Sequence, residues 1–445
     1  MIGIGGVSMS GIAEILAHFG FKVTGSDRTD SEIVQKLVEK GIPVQIGHDL
    51  INSKKANLVV YTAAVKADDP ELVQARKFNV PTMERADFLG QITKLYKDTI
   101  CVSGTHGKTT TTSMVSLCFL EAGLNPTIQV GAILKEIDGN NHIGSKDYFI
   151  IEACEYVESF LKFYPKSEII LNIDNDHLDY FKTFDNVKNA FIKYVKLIPE
   201  DGLLVINGDD KNCLDLANFT KSKFVTYGIE NKQVDFYAKN MVSDEDGFYQ
   251  FDVYHNGEFY ERFKLSIPGI HNVSNALACI SLCDSYGISK EAMQKALLSF
   301  TGANRRFDYV GSYKDIKVYD DYAHHPTEIQ SVYNSVKNKK HHENWIIFQS
   351  HTYSRTKNLL DEFAEVLANF DHVIITDIYA AREINQYGVS PEDLVAKIAT
   401  HGKTAKYISK FEDIANYIRE NAQANDIVLT VGAGTITQLG KFIVE

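Results

Sequence analysis

Three shortages narrow the possibilities before any motif is considered. Basic residues are outnumbered: 46 Lys and Arg against 58 Asp and Glu leave a net charge of −12. That balance argues against sequence-independent nucleic-acid binding, which rests on cations neutralising phosphates. Long apolar runs are missing. No stretch approaches the ~18 residues of a membrane-crossing helix, and the apolar start has no basic flank and is broken by Glu14, so no secretory leader is expected. Patterned cysteines are missing too. The six (101, 118, 154, 213, 279, 283) are scattered through apolar surroundings without zinc-knuckle spacing, Cys279 and Cys283 being one helical turn apart. Reduced thiols and a cytoplasmic location are expected. Low-complexity tracts and solenoid periods are also absent from the sequence.

What is there is a chain of 445 residues, 44% hydrophobic and 23% charged, too long for one ordinary core. Two or three domains are expected. The most informative stretch is Ser103-Gly104-Thr105-His106-Gly107-Lys108-Thr109-Thr110, preceded by the apolar run from Thr99 and followed by a helical pattern over Ser113–Glu121. Strand, glycine loop with Gly-Lys-Thr, then helix is the arrangement that holds a nucleotide triphosphate: backbone N–H groups and the helix N-terminus face the phosphates. Lys108 would reach the β/γ-phosphates and the Thr109 hydroxyl would sit on Mg²⁺. Gly104 stands three positions before Gly107, so the loop is shorter than the standard pattern.

Around this centre the chain reads as alternating β and α units. In the first ~90 residues, Gly3-Ile-Gly5-Gly6 leads into a helix from Gly11 to Phe19, and a strand over Phe21–Gly25 ends in Ser26-Asp27. A helix over Ser31–Lys40 and a strand over Asn57–Tyr61 follow. A glycine turn before a helix, with an acid at the next strand's end, is the layout of a dinucleotide site, where Asp27 would meet a ribose. Ser8 occupies the third glycine position, and only Met1 and Ile2 precede Gly3, so the first strand is short. Gln91–Lys97 reads as a linker. The middle region continues with strands over 148–151, 168–171, 203–206 and 224–227 and helices over 186–197 and 210–219. Residues 233–266 break the parallel pattern with a hairpin through Asn256-Gly257. The last third adds strands over 317–319, 345–348, 372–375 and 426–430, with helices near 326–336, 355–368, 390–399 and 411–421. The fold class expected is α/β with three domains. These are a Rossmann-like N-terminal domain (1–94), a central P-loop domain with a small antiparallel hairpin (95–301), and a Rossmann-like C-terminal domain (302–445).

Several residues stand where ligands bind in such sheets, beyond the carboxyl ends of strands. Glu152 follows the strand 148–151, and with Thr109 and phosphate oxygens it would make the hard oxygen shell Mg²⁺ prefers. His177 is read as ending the strand that starts at Ile169. Asn272 and Asn275 share one face at a helix start, where amides can pair with an adenine edge or simply cap the helix. Arg305-Arg306 could stabilise a transferring phosphoryl group or form a surface ion pair. Asp320-Asp321-Tyr322-Ala-His324-His325, the pair His351 and Arg355, and Tyr379-Ala-Ala-Arg382-Glu383 are further polar clusters after strands.

Taken in order, Gly3-Ile-Gly-Gly-x-x-Met-Ser-Gly11, Gly104-Thr-His-Gly-Lys-Thr109, Glu152-Ala153, Asp176-His177, His271-Asn-x-x-Asn275, Arg305-Arg-Phe307 and Asp320-Asp-Tyr-x-His-His-Pro326 resemble the motifs of the Mur ligases over essentially the whole chain. The resemblance implies an ATP-dependent amide-bond ligase of peptidoglycan precursor synthesis, joining L-alanine to the muramate carboxylate of UDP-N-acetylmuramate through an acyl phosphate. It implies that Gly5, Gly6, Ser10, Asp27 and Arg85 bind the UDP substrate. Gly104 to Thr110, Asn272, Asn275 and Arg306 would bind ATP. Thr109, Glu152 and His177 would hold two Mg²⁺ ions, and Lys108, His177, Arg306, Asp321 and His324 would serve catalysis. Tyr322, His324, His351 and Arg355 would line the amino-acid side. Two divalent ions between a carboxylate and a triphosphate would offset their repulsion, and closure would keep water from the acyl phosphate. No nucleic-acid partner is implied, and a monomer or weak homodimer is expected. The sequence departs from the common family pattern at Ser8, Cys154-Glu155-Tyr156-Val157, Thr352 and Thr435. The nearest alternative is a recycling ligase that attaches a ready-made tripeptide to UDP-N-acetylmuramate. A folate polyglutamylating ligase would lack the N-terminal unit. A nicotinamide oxidoreductase would leave Lys108 unexplained, and an ATP-binding switch would turn over no substrate.

Overall fold

The computed structural model describes every residue except Arg382, with Asp179 described by its backbone alone. Arg382, expected in a loop after the strand 373–376, thus lies outside the described residues. The chain packs as two compact units. Met1–Asn175, Thr183–Tyr227 and Ala278–Met293 form the first, and Asp176–Lys182, Gly228–Leu277 and Gln294–Glu445 the second.

In the first unit, a small parallel sheet runs Val44–Ile46, Gly25–Asp27, Ile2, Val59–Tyr61, Thr82–Glu84. Its middle strand is as short as expected. Ile2 alone bridges Ser26 and Tyr61, and its N–H donates to the Val60 carbonyl at 2.8 Å. Three boundaries differ from the sequence reading. The first helix starts at Val7 rather than Gly11 and ends at His18. The strand expected at 21–25 is Gly25–Asp27, with Phe21 exposed. Pairing with Val44–Ile46 takes those residues, and Gly25 lets the strand pack on Ile4, whose side chain would come 2.4 Å from a Cβ there. The linker expected at 91–97 is shorter, 94–97: the helix Arg85–Thr93 runs into it with Ile92 and Thr93 buried. There Gly90 brings the helix onto the Lys162 carbonyl, only 2.0 Å from where a Cβ would be.

The larger sheet of this unit is ordered Lys223–Gly228, Leu203–Asn207, Ser167–Ile170, Asp98–Ser103, Tyr148–Glu152, Thr127–Leu134, all parallel, with Gly139–His142 antiparallel at the edge. Asp98–Ser103 therefore lies between the strands that lead to Glu152 and to Asn172, and the three following loops emerge side by side. The helix Lys108–Glu121 is buried from Thr109 to Phe119. A run of four threonines is a weak helix former; here the hydroxyls of Thr112, Ser113 and Ser116 donate to the carbonyls four residues back at 2.7–2.8 Å, which satisfies them inside the core.

In the second unit, Phe236–Ser243, Phe248–His255 and Glu258–Pro268 form an antiparallel set. The turn Asn256-Gly257 was legible from sequence; the strand Phe236–Ser243 was not. A six-stranded sheet follows in the order Asp308–Tyr313, Ile316–Asp321, Ile427–Val431, Asn344–Phe348, His372–Ile375, Ala405–Tyr407, the first antiparallel and the rest parallel. Apolar clusters cover both faces, one around Phe348 and Phe363 and one around Trp345 and Ile414. Among the described residues, no helix is long and apolar enough to cross a membrane.

Candidate active site

The loop after Asp98–Ser103 depends on its glycines. Gly104 has φ 129°, and a Cβ there would lie 3.1 Å from the backbone nitrogens of Leu171 and Asn172; Gly107 has φ 87°. Asn172 clamps the loop by accepting from the His106 N–H at 2.8 Å and donating to the His106 carbonyl at 3.0 Å. Thr105 Oγ1 accepts from the Asp174 N–H at 2.9 Å, and His106 Nε2 meets Asp174 Oδ2 at 3.0 Å. The helix opens at Lys108, directing its free N–H groups and dipole into the loop, with Thr109 and Thr110 buried in its first turn.

Lys108 Nζ donates to the Gly104 carbonyl at 2.5 Å, to the Thr105 carbonyl at 3.0 Å and to Glu155 Oε2 at 3.0 Å. Burial works against its charge, but Glu155, Cys154 and Glu152 outweigh burial and hold the ammonium above its ordinary range. Thr109 Oγ1 donates to Glu152 Oε2 at 3.2 Å, and Glu152 Oε1 accepts from the Gly131 N–H at 2.5 Å. Thr109 and Glu152 thus present hard oxygens side by side at the mouth of an anion-binding loop. That donor set fits Mg²⁺.

The predicted UDP-side residues gather around residues 3–10 of the same unit. Asp27 Oδ2 accepts from the Gly5 N–H at 2.8 Å and Oδ1 from the Thr29 N–H at 3.1 Å. Arg85 Nη1 donates to Ser8 Oγ at 3.1 Å, and Gln129 Nε2 donates to the Ser8 carbonyl at 2.8 Å. The serine in place of glycine at position 8 is therefore held by two side chains that the sequence did not connect to it. Gly6 N–H turns back to the Gly3 carbonyl at 3.3 Å. Ser10 is buried, its hydroxyl donating to the Val7 carbonyl at 2.9 Å.

The second unit carries a separate polar cluster. The strand expected to reach His177 stops at Ile170; His177 has φ 56° and precedes the short helix Leu178–Phe181. Asp176 Oδ1 accepts from the His177 N–H at 2.7 Å, fixing this left-handed turn, and from Arg355 Nη2 at 3.1 Å. Burial opposes the Asp176 charge, but His177, Arg355 and His324 hold its carboxyl well below the usual range. Arg355 Nη1 also donates to His351 Nδ1 at 3.1 Å, and the His324 and His351 rings meet edge-on at 5.9 Å. Burial, joined for His351 by His324 and Arg355, pushes both imidazoles down to about 4. Both are neutral at pH 7. The Tyr322 carbonyl lies 3.0 Å from His324 Nδ1, so that nitrogen carries the proton and Nε2 keeps its lone pair.

At the start of the helix Ile270–Ser285, Asn275 Nδ2 donates to Asn272 Oδ1 at 3.0 Å and Asn272 Nδ2 to the Pro268 carbonyl at 2.7 Å. The two asparagines share a face as the spacing predicts. Arg306 lies over the Tyr322 ring at 5.4 Å and Arg305 over the same ring at 4.8 Å. Arg305 rather than Arg306 makes the ion pair, with Asp320 at 3.0 Å. Asp321 accepts from the Phe307 and Ala323 N–H groups at 2.8 and 2.7 Å, and burial, opposed by Arg306, pushes it up to about 6.

Three domain models match in sequence order: "Mur ligase family, catalytic domain" over residues 1–97, "Mur ligase middle domain" over 102–283 and "Mur ligase, glutamate ligase domain" over 305–434. The UDP-N-acetylmuramate–L-alanine ligase of Acetivibrio thermocellus is 48% identical over 444 residues, covering 100% of this chain and 95% of that protein. Its counterpart in Caldicellulosiruptor bescii is 49% identical over 100% of this chain and 97% of its own. The chain belongs to the Mur ligase family. The crystal structure of the UDP-N-acetylmuramate–alanine ligase from Thermotoga maritima superposes with a TM-score of 0.84 at 30% identity, over 100% of this chain and 97% of that one. The three-domain α/β architecture of a Mur ligase is thus present.

Three residues of these clusters escaped the sequence reading. Glu155, the partner of Lys108, was noted only as a departure from the family pattern, while Glu152 was singled out as a ligand. Asn172 was read as part of a strand, although an amide just beyond a strand end beside the glycine loop is a usable signal. Asp176 was noted only as the neighbour of His177, and its pairing with Arg355 joins positions 179 apart in sequence.

Proposed function

We propose that this chain is an ATP-dependent carbon–nitrogen ligase that joins L-alanine to the muramate carboxylate of UDP-N-acetylmuramate in peptidoglycan precursor synthesis. The observation that carries the proposal is full-length similarity, at 48% and 49% identity, to two chains named for that reaction. The geometry supports a division of labour. The loop 104–110 and Lys108 hold the triphosphate. Thr109 and Glu152 offer oxygens to one Mg²⁺ and His177 a nitrogen to a second. Bound there, magnesium would offset the repulsion between the carboxylate and the phosphates it approaches. Asn272 and Asn275 face the adenine, and Arg306 and Asp321 serve the nucleotide from the third domain. Gly5, Gly6, Ser10, Asp27 and Arg85 take the uridine side.

In the reaction, a muramate carboxylate oxygen attacks the γ-phosphorus and ADP leaves. The L-alanine amine then attacks the acyl carbon, and phosphate departs with the carboxylate oxygen. Tyr322, His324, His351 and Arg355 line the amino-acid side. Arg355 is suited to the L-alanine carboxylate and the His324 Nε2 lone pair to a proton from its ammonium. Domain limits at 1–94, 95–301 and 302–445, a cytoplasmic location and a monomer or weak homodimer belong to the same proposal. The test is isotope transfer. UDP-N-acetylmuramate labelled with ¹⁸O in its carboxylate should pass one label into the released phosphate for each amide formed; phosphate without label refutes the acyl-phosphate route.

A further inference from the structure

Three of the six cysteines, scattered in sequence, meet in the core of the first unit. Cys118 lies on the phosphate-loop helix Lys108–Glu121, Cys279 and Cys283 on Ile270–Ser285. Cys118 Sγ is 3.6 Å from Cys279 Sγ, and Cys279 Sγ is 3.8 Å from Cys283 Sγ. All three sulfurs lie within 4.8 Å of one another, and all three residues are 0% exposed. Buried cysteines ordinarily act as small apolar groups, and such residues need no common focus. These three converge. Three thiolates on one ion at bonds of about 2.3 Å place their sulfurs roughly 3.3–4.0 Å apart, from a pyramidal to a planar centre; the Cys118–Cys279 and Cys279–Cys283 separations lie in that range and Cys118–Cys283 lies within 4.8 Å. Cys101, Cys154 and Cys213 take no part in the group.

Charge selects the ion. Aromatic rings lie beside the group: Phe119, next to Cys118, packs edge-on against Tyr286 at 5.3 Å, and Tyr148 against Tyr286 at 5.9 Å. The thiols of Cys279 and Cys283 favour a thiolate at Cys118, while the carboxylates of Glu121, acting on Cys118, and Asp284, acting on Cys283, oppose further negative charge. Three thiolates around a divalent ion would leave one net negative charge in this core, and around a monovalent ion two; a trivalent ion leaves none. Burying uncompensated charge is costly. We propose that Cys118, Cys279 and Cys283 form a three-sulfur site for a trivalent thiophilic ion, with As(III) the ion whose chemistry fits directly. Neutral As(OH)₃ exchanges its three hydroxyls for three thiols. Three As–O bonds break, three As–S bonds form, and each thiol proton leaves with a hydroxyl as water. No redox change and no net charge result. Occupancy would staple the phosphate-loop helix to Ile270–Ser285, so it would also raise the melting temperature of the folded chain.

The test uses the reduced full-length protein incubated with sodium arsenite and then desalted, with arsenic counted per chain and its neighbours read by X-ray absorption. The expected result is one arsenic per folded chain with three sulfur neighbours and no oxygen, and a higher melting temperature. Cys118→Ala and Cys279→Ala should each weaken retention by roughly tenfold or more, while Cys101→Ala and Cys154→Ala leave it unchanged. Because core variants can misfold, the wild-type absorption spectrum decides independently. No retained arsenic, mixed sulfur and oxygen neighbours, binding only in denaturant, or retention unaffected by Cys118→Ala would each overturn the proposal.

Discussion

Lys108 shows how a single side chain ties stability to function. Glycine loops ordinarily lie at the surface, where Lys108→Ala would remove activity and leave the fold untouched. The structure instead sets it, partly buried, against the buried carboxylate of Glu155, 1% exposed, at 3.0 Å. Removing one partner of a buried ion pair leaves the other charge uncompensated, a loss of about 3–5 kcal/mol. Lys108→Ala should therefore lower turnover at least ~10²-fold and also lower the urea midpoint. The double variant Lys108→Met/Glu155→Gln should recover most of the midpoint and none of the turnover, as denaturation and phosphate-release assays would show. Asp176 poses the parallel case in the second unit. Asp176→Asn weakens the hold on Arg355, and the expected effect is a raised KM for L-alanine, with the KM for ATP changing less; equal changes in both would remove Arg355 from the amino-acid side. Neither partnership was legible, because pairs as distant as Asp176 and Arg355 leave no mark in spacing. Thr109 and Glu152, by contrast, meet at 3.2 Å, each at the position that one local rule marks, after a glycine loop or at the end of a buried strand.

At the scale of elements, the sequence yielded what local pattern controls. The Asn256-Gly257 hairpin, the helix 411–421 and the strand 372–375 stand where periodicity and turn residues put them. It failed where tertiary contact chose the register. Phe21–Gly25 looks like a strand, but pairing with Val44–Ile46 takes Gly25–Asp27 instead. The run to His177 looks like one long strand, but only Ser167–Ile170 pairs with Asp98–Ser103, and His177 stands in a left-handed turn before the helix Leu178–Phe181. The edge of the six-stranded sheet adds a testable device. Buried Asp426 accepts from Trp345 Nε1 at 2.9 Å, from the Glu343 N–H at 3.1 Å and from the Gln423 N–H at 2.9 Å, and it pairs with His342 at 2.9 Å. Asp426→Ala should cost about 3 kcal/mol or more, since several buried donors lose their acceptor. The hydrogen bond to Asp426 raises the His342 pKa. A raised folded-state pKa means the stabilisation is full below the unfolded value of ~6.5 and is lost as pH rises through the folded value. Urea midpoints should fall across that rise, and His342→Gln should flatten that part of the curve; an unchanged slope would remove His342 from the device.

For the molecule as a whole, composition excluded classes of function, and one ordered series of short motifs pointed to the family. The match spans 100% of the chain, so the family resemblance accounts for all three stretches that the motifs mark. What composition and periodicity could not rank was the acceptor, because L-alanine and a tripeptide ending in the same amine differ in how the far side of the pocket receives them. The central claim is tested most directly by measuring phosphate release from ATP and Mg²⁺ with UDP-N-acetylmuramate in three parallel reactions: with L-alanine, with the tripeptide, and with no acceptor. The account predicts release that requires L-alanine, matched by an equal amount of UDP-N-acetylmuramoyl-L-alanine. Release that requires the tripeptide, or that proceeds without any acceptor or product, would contradict it.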